Sequence, residues 1–242
     1  VAALLSIYYV RRNKEVTIAK KDLKLDKRIV RDIYFVGVPA IVMQGIGTIL
    51  TTSLNKILIA FGTDAVAIYG IYFRLQSFIF MPIFGLNSGM IPIIGYNYGA
   101  QRPKRIMKTI RVGITVALII MAFGTALFTF FPHVLLAFFN ASATMLEIGT
   151  IALQRLSMCF LMAGVSISLS ALFQGMGNGY YSMIIAFTRQ LVFLLPAAYL
   201  LGRFFGLDAL WYSFFIAEFS AFFLSLLFFR NMHKNRIKPM YQ

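Results

Sequence analysis

The chain of 242 residues is 60% hydrophobic and only 13% charged, with a mean hydropathy of +0.78. Soluble domains carry charge on about a quarter of their residues, so this composition excludes one and identifies an integral membrane protein. The net charge of +15 lies in loops and ends, where it reports orientation in a bilayer and gives no reason to expect nucleic acid as a partner.

The apolar residues fall in blocks of roughly 20 or more, the length a helix needs to cross a hydrocarbon core of about 30 Å. The alternating ten-residue segments of an outer-membrane barrel are absent, so the expected class is all-α. Residues 1–10, VAALLSIYYV, are apolar and run into the basic RRNK, the reverse of a signal peptide. They read as the end of a transmembrane helix that begins upstream, in a chain truncated at Val1. Residues 11–32 form a basic linker whose second half has the amphipathic pattern of a helix on a membrane surface.

Six spanning helices follow over 33–60, 65–97, 108–138, 147–173, 180–201 and 209–229, and residues 230–242 make a basic tail. Lys and Arg alternate across these spans. The stretch 11–31 holds nine of them, the loop after the second span carries Arg102, Lys104, Arg105, Lys108 and Arg111, and the tail carries Arg230, Lys234, Arg236 and Lys238. The intervening loops near Asp64 and Asn140 have none, and 202–208 has only Arg203. The positive-inside rule therefore puts the linker, the 99–107 loop and the C-terminus in the cytoplasm of a multi-pass cell-membrane protein. Cys159 is the only cysteine and lies in an apolar run, which predicts a buried packing residue.

The most informative stretch is FMPIFGLNSGMIPIIGYNYGAQRPKR, Phe80 to Arg105, an apolar span interrupted by Pro82, Gly85, Gly89 and Pro92. In lipid such interruptions are tolerable only where neighbouring helices or a watered cavity satisfy the freed backbone groups. With the preceding RLQSFI, this stretch resembles the eighth-helix signature of the multidrug and toxin extrusion (MATE) transporters. GVPA at Gly37–Ala40 is similar to the opening of the family's preceding helix. FQGMGNGYYSM from Phe173 and RQLVFLLPAAYLL from Arg189 resemble its later helices. The resemblance implies a twelve-helix fold of two six-helix lobes around a central cavity, with residues 33–229 as the C-terminal lobe. It further implies half of a secondary antiporter that exports amphipathic organic cations or drugs against a proton or sodium gradient. The N-terminal lobe would then be a required partner, because one lobe alone lacks the opposing wall needed for alternating access.

Charges at bilayer depth cost about 2.5–3.5 kcal/mol on insertion scales, so each is a functional candidate. Lys56 is close enough to a helix end to snorkel. Arg155 is expected to do likewise or to pair with Glu147. Arg189 lies nine residues beyond Tyr180 and Glu218 twelve before Arg230 on the antiparallel neighbour. At 1.5 Å per residue their depths differ by about 4–5 Å, which predicts an ion pair, read either as a structural clasp or as part of proton coupling. The helices 33–60, 65–97 and 147–173 have no Asp or Glu in their middles, so the titratable coupling group is expected in the other lobe.

Gln44, Asn55, Gln76, Asn87 and Gln174 are neutral hydrogen-bonding groups, suited to interhelical bonds or to a cavity. If the first two full helices line the centre as in the family, Met43, Gln44, Asn55, Phe73, Gln76, Phe80, Met81, Asn87 and Met90 form a soft surface for organic cations. Gly85/Gly89, Gly95/Gly99 and Gly175/Gly179 have the spacing of close helix contacts. No HExxH, GxSxG, metal-ligand cluster or GxxxxGK[ST] occurs, so no enzyme, cofactor, metal or ATP site is expected. Two alternatives remain: a lipid-linked oligosaccharide flippase or polysaccharide exporter of the same superfamily, which calls for a more cationic cavity that Arg74, Arg155 and Arg189 could supply, and a non-transporting membrane subunit.

Overall fold

The computed structural model describes residue 9, residues 26–139 and residues 141–241. Most of the expected helix end at 1–10, most of the 11–32 linker, Asn140 and Gln242 lie outside them. The chain divides into two units, Val1–Gly37 and Val38–Gln242. In the first, the Asp26 carboxylate accepts from the Arg28 backbone N–H at 2.8 Å, an N-cap that starts α1, Lys27–Leu58.

A 3-10 turn at Ile59–Phe61 and Gly62, whose φ of 110° suits glycine alone, connect α1 to α2, Thr63–Gly99. At 1.5 Å per residue the 37 residues of α2 span about 55 Å. Pro82 and Pro92 lie inside this helix. The third element, α3, runs Pro103–Phe130 with proline in its first turn, where no intrahelical donor is needed.

The sequence reading drew single helices over 108–138 and 147–173, and the structure breaks both. Phe131 ends α3 before Pro132, which begins the short α4, Pro132–Ala137. Ser142 caps α5, Ala143–Ser157, by accepting from the Met145 N–H. Helix α6, Phe160–Gly175, then departs at 47°. Carbonyls freed by a break inside a bilayer need donors, and neighbouring side chains supply them. Thr125 donates to the Ser157 carbonyl at 3.2 Å, Gln154 donates to the Thr129 carbonyl at 3.2 Å, and the Cys159 thiol donates to the Leu156 carbonyl.

Gly177, with φ 76°, turns the chain into α7, Gly179–Phe187, which widens into a π-helical segment at Thr188–Leu194 and resumes as α8, Leu195–Phe205. Pro196 explains the widening: it lacks the N–H that would bond the Val192 carbonyl, and its ring crowds that carbonyl. Gly206, at φ 83°, leads through α9, Leu207–Leu210, to α10, Tyr212–Met232. The tail expected at 230–242 starts within α10 and stays helical to Tyr241. Its Ile237 is fully buried, and Arg236 donates to the Tyr98 hydroxyl at 3.3 Å.

Most of the described residues are helical, with no strand among them. Four of their helices are long and apolar enough to cross a membrane, or five if the bent α5–α6 pair is one span. The expected first span, 33–60, falls on α1, several of whose side chains are outside the described set. Two apolar clusters hold the bundle together. The larger is aromatic at its centre: Phe160 packs edge-on against Phe80 at 5.3 Å and against Phe128 at 5.2 Å, while Tyr72 meets Phe128 and Phe214. The second gathers Met90, Ile94, Ile106, Leu172, Phe173 and Ile237 near the end that carries the basic loop.

Of the glycine pairs expected at helix contacts, Gly95 and Gly175 meet each other. A Cβ on Gly95 would lie 3.2 Å from the Gly175 carbonyl oxygen, and one on Gly175 would lie 2.9 Å from that of Ile91. Gly85, Gly89, Gly99 and Gly179 have nothing within 4 Å of such a Cβ. The close approach is therefore one crossing of α2 with α6.

Candidate functional site

Two adjoining cavities, of about 650 and about 300 Å³, open among α1, α2, the π segment and α10. The wall from α1 is a polar and small-residue stripe, Gln44, Gly47, Thr48, Thr51 and Thr52 with Met43, at the one-turn spacing that puts residues on one helix face. Opposite it, α2 contributes Tyr69, Phe73, Gln76 and Phe84 to the larger cavity. Ser77, Phe80 and Met81 reach the smaller one. The π segment supplies Arg189, Gln190 and Leu194, and α10 supplies Phe214 and Glu218. With i→i+5 hydrogen bonding, residues five apart share a face, so the π geometry turns Arg189 and Leu194 to the same wall.

Among the described residues, Arg189 and Glu218 are the only charged ones that line either cavity, and they border both. The Arg189 Nη1 donates to Glu218 Oε1 at 2.8 Å, with side chains 26% and 14% exposed. The second carboxylate oxygen, Oε2, is buried without a hydrogen-bond partner. Close pairing brings the net charge of the two groups to zero, which makes them tolerable at membrane depth. Around them is an aromatic surface. Tyr69 packs 6.5 Å from Phe73 and 6.3 Å from Phe214, and Phe80 packs 6.4 Å from Phe84.

Six of the nine sequence-selected cavity residues are brought to this surface: Met43, Gln44, Phe73, Gln76, Phe80 and Met81. Three are not. Met90 is 4% exposed and lies over Gly113 of α3, where the absent side chain leaves room for its thioether, so it packs two helices together. Asn87 is spent on an interhelical bond, its Nδ2 donating to the Ile167 carbonyl at 2.9 Å. Asn55 is half-buried with an unpartnered Oδ1 away from the lining.

Arg155 does not take Glu147 as its partner. It donates to the Asp208 carbonyl, lies 3.9 Å from the Asp208 carboxylate and is 5.0 Å from the centre of the Tyr212 ring. Sequence reasoning missed Thr48, Thr51, Tyr69, Phe84, Gln190 and Phe214. The α1 stripe and the Tyr69, Phe73, Gln76, Phe80, Phe84 series were detectable as helical periodicity. Gln190 was not, because its facing depends on the π segment. No cluster of three or more His, Cys, Asp or Glu suited to a metal occurs among the described residues.

The MatE family model matches residues 39–200. Multidrug export protein MepA of Staphylococcus haemolyticus is 28% identical over 231 residues, 96% of this chain and 50% of the relative. MepA of Staphylococcus aureus is 30% identical over 220 residues, 90% of this chain and 48% of the relative. A crystal structure of MATE in the bent conformation superposes with a TM-score of 0.90 at 24% identity, covering 99% of this chain and 54% of that one. The chain thus spans about half the length of the relatives it matches, and its bundle has the fold of one six-helix lobe of such a transporter. The match over residues 39–200, together with that fold, makes the chain a member of the MatE family.

Proposed function

We propose that this chain is the C-terminal lobe of a secondary active multidrug exporter, an antiporter that moves amphipathic organic cations outward in exchange for protons or sodium ions. The observation that carries this reading is the cavity of about 650 Å³, lined by aromatic rings, amides and hydroxyls around one neutralised ion pair. Such a lining accepts varied organic shapes through rings that attract cations and thioethers that repack. The multidrug export proteins to which the chain is similar support the same reading.

A second six-helix lobe, joined through residues 11–32, closes the open side of the cavity and carries the titratable coupling carboxylate. The linker, the 99–107 loop and the C-terminus face the cytoplasm. A flippase for pyrophosphate-linked lipids calls for a cationic cavity. Among the described residues Arg189 is the only cation in the lining, and Glu218 neutralises it; Arg155 is engaged with Asp208 and Tyr212, and Arg74 lies outside both linings.

The test is efflux of a fluorescent organic cation from proteoliposomes that contain the protein as its gene encodes it, with an imposed proton or sodium gradient. Efflux that stops when both gradients are dissipated supports the reading. Efflux indifferent to both gradients, or none at all, overturns it.

A further inference from the structure

The Arg189–Glu218 pair has features that a structural clasp does not require. It borders both cavities, whereas a clasp works as well on a closed helix interface. Its carboxylate uses one oxygen for Arg189 and keeps the other, Oε2, buried and unpartnered. A buried carboxylate oxygen without a donor is costly, and a charged one beside a cavity calls for a partner more strongly than a neutral amide or hydroxyl does. The arginine stands on a π segment, a helical irregularity frequent at functional sites, which breaks the regular α-helical ladder on either side of it.

We propose, resting on the transport reading above, that Glu218 is the residue that selects positively charged substrates. Arg189 acts as the internal stand-in that occupies the carboxylate while the cavity is empty. A lipophilic cation in the cavity, with its rings against Phe73 and Phe84, draws the carboxylate toward it, so that Oε2, closed off while Arg189 is paired, gains a partner and the guanidinium gains a competitor. The stand-in serves two ends. It neutralises Glu218 in the absence of substrate, and it lowers affinity enough for release. Arg189 is a positioning residue in this scheme, and Glu218 the contacting one.

The experiment measures binding of tetraphenylphosphonium, a cation, and triphenylphosphine oxide, a neutral analogue, to the protein as its gene encodes it in detergent. The parent protein, Glu218→Gln, Arg189→Gln and the double variant are compared. The expected results are a cation Kd weakened about tenfold or more by Glu218→Gln, and a neutral-probe Kd changed less than about threefold. Arg189→Gln tightens the cation, because its competitor is gone. The double variant, which removes both charges and leaves no lone buried ion, loses the preference for the cation over the neutral probe.

Equal losses for both probes in every variant assign the pair to structure and overturn the proposal. So does a double variant that binds the cation as the parent does. If the parent binds the cation and Glu218→Gln leaves that unchanged, this proposal fails while the transport reading stands. If the parent binds neither probe, both fail.

Discussion

Replacing Gly175 with alanine tests whether the α2–α6 crossing is as tight as the geometry requires. The added Cβ would lie 2.9 Å from the Ile91 carbonyl oxygen and 2.9 Å from both Cβ and Cγ2 of Ile94, whereas ordinary contact begins near 3.4 Å. The atoms it meets are backbone and the stem of a β-branched residue, so relief requires the helices to separate by about half an ångström. Overpacking of this kind costs about 1–3 kcal/mol. Gly175 is the last residue of α6, so the gain of about 1 kcal/mol from Gly→Ala in a helix interior is mostly absent.

Gly113→Ala is the control. Its Cβ would come even closer, 2.3 Å, but to the sulfur of Met90, a flexible side chain that can swing aside, and its position mid-helix restores the propensity gain. Thermal unfolding in detergent should show Gly175→Ala lowered by about 4–8 °C, taking roughly 2 kcal/mol at about 2–4 °C per kcal/mol. Gly113→Ala should stay within about 3 °C of the parent. If Gly175→Ala melts with the parent, or Gly113→Ala falls further than it does, the reasoning that rigid neighbours set the cost is refuted.

Gly177→Ala forces a side chain into φ 76° and should lose about 1–2 kcal/mol in the same melt, with Gly177→Asn losing less. Asn87→Leu removes the bond to the Ile167 carbonyl and should cost about 0.6–2 kcal/mol in reversible denaturation; no change means the bond is compensated. Arg155→Met gives up the contacts to Asp208 and Tyr212 at a half-exposed site, so a stability loss of no more than about 1 kcal/mol is expected. Cys159 is 3% exposed and should resist a water-soluble maleimide in the folded protein, then label once the bundle is heated through its transition. Labelling at the unfolded rate in the cold contradicts the packing around it.

The sequence alone determined that this is a helical membrane bundle, because 60% apolar composition in blocks of about twenty residues has no other stable solution in lipid. It also carried the family, since the Pro/Gly-interrupted Phe80–Arg105 stretch is a local pattern that needs no fold to be read. That Arg189 and Glu218 lie within about 4–5 Å of each other in depth came from counting residues along two antiparallel helices, and the 2.8 Å contact between them is a fact of packing; their part in transport is a proposal.

What the tertiary structure decided is which way each side chain faces and where the helices break. The breaks at Phe131 and at Met158–Cys159 were hidden because a hydropathy run stays apolar through a bend; Gln154 supplies a donor to the Thr129 carbonyl beside the first, and Thr125 and the Cys159 thiol supply donors to the Ser157 and Leu156 carbonyls at the second. Met90 and Asn87 read as cavity residues in one dimension. In three they are consumed by Gly113 on the next helix and by the Ile167 carbonyl far along the chain. Gln190 joins the cavity wall because Pro196 forces a π segment, which shifts the phase of every residue it contains. Composition and periodicity are properties of one helix, whereas facing is set by contacts between helices, and those exist only once the bundle has formed.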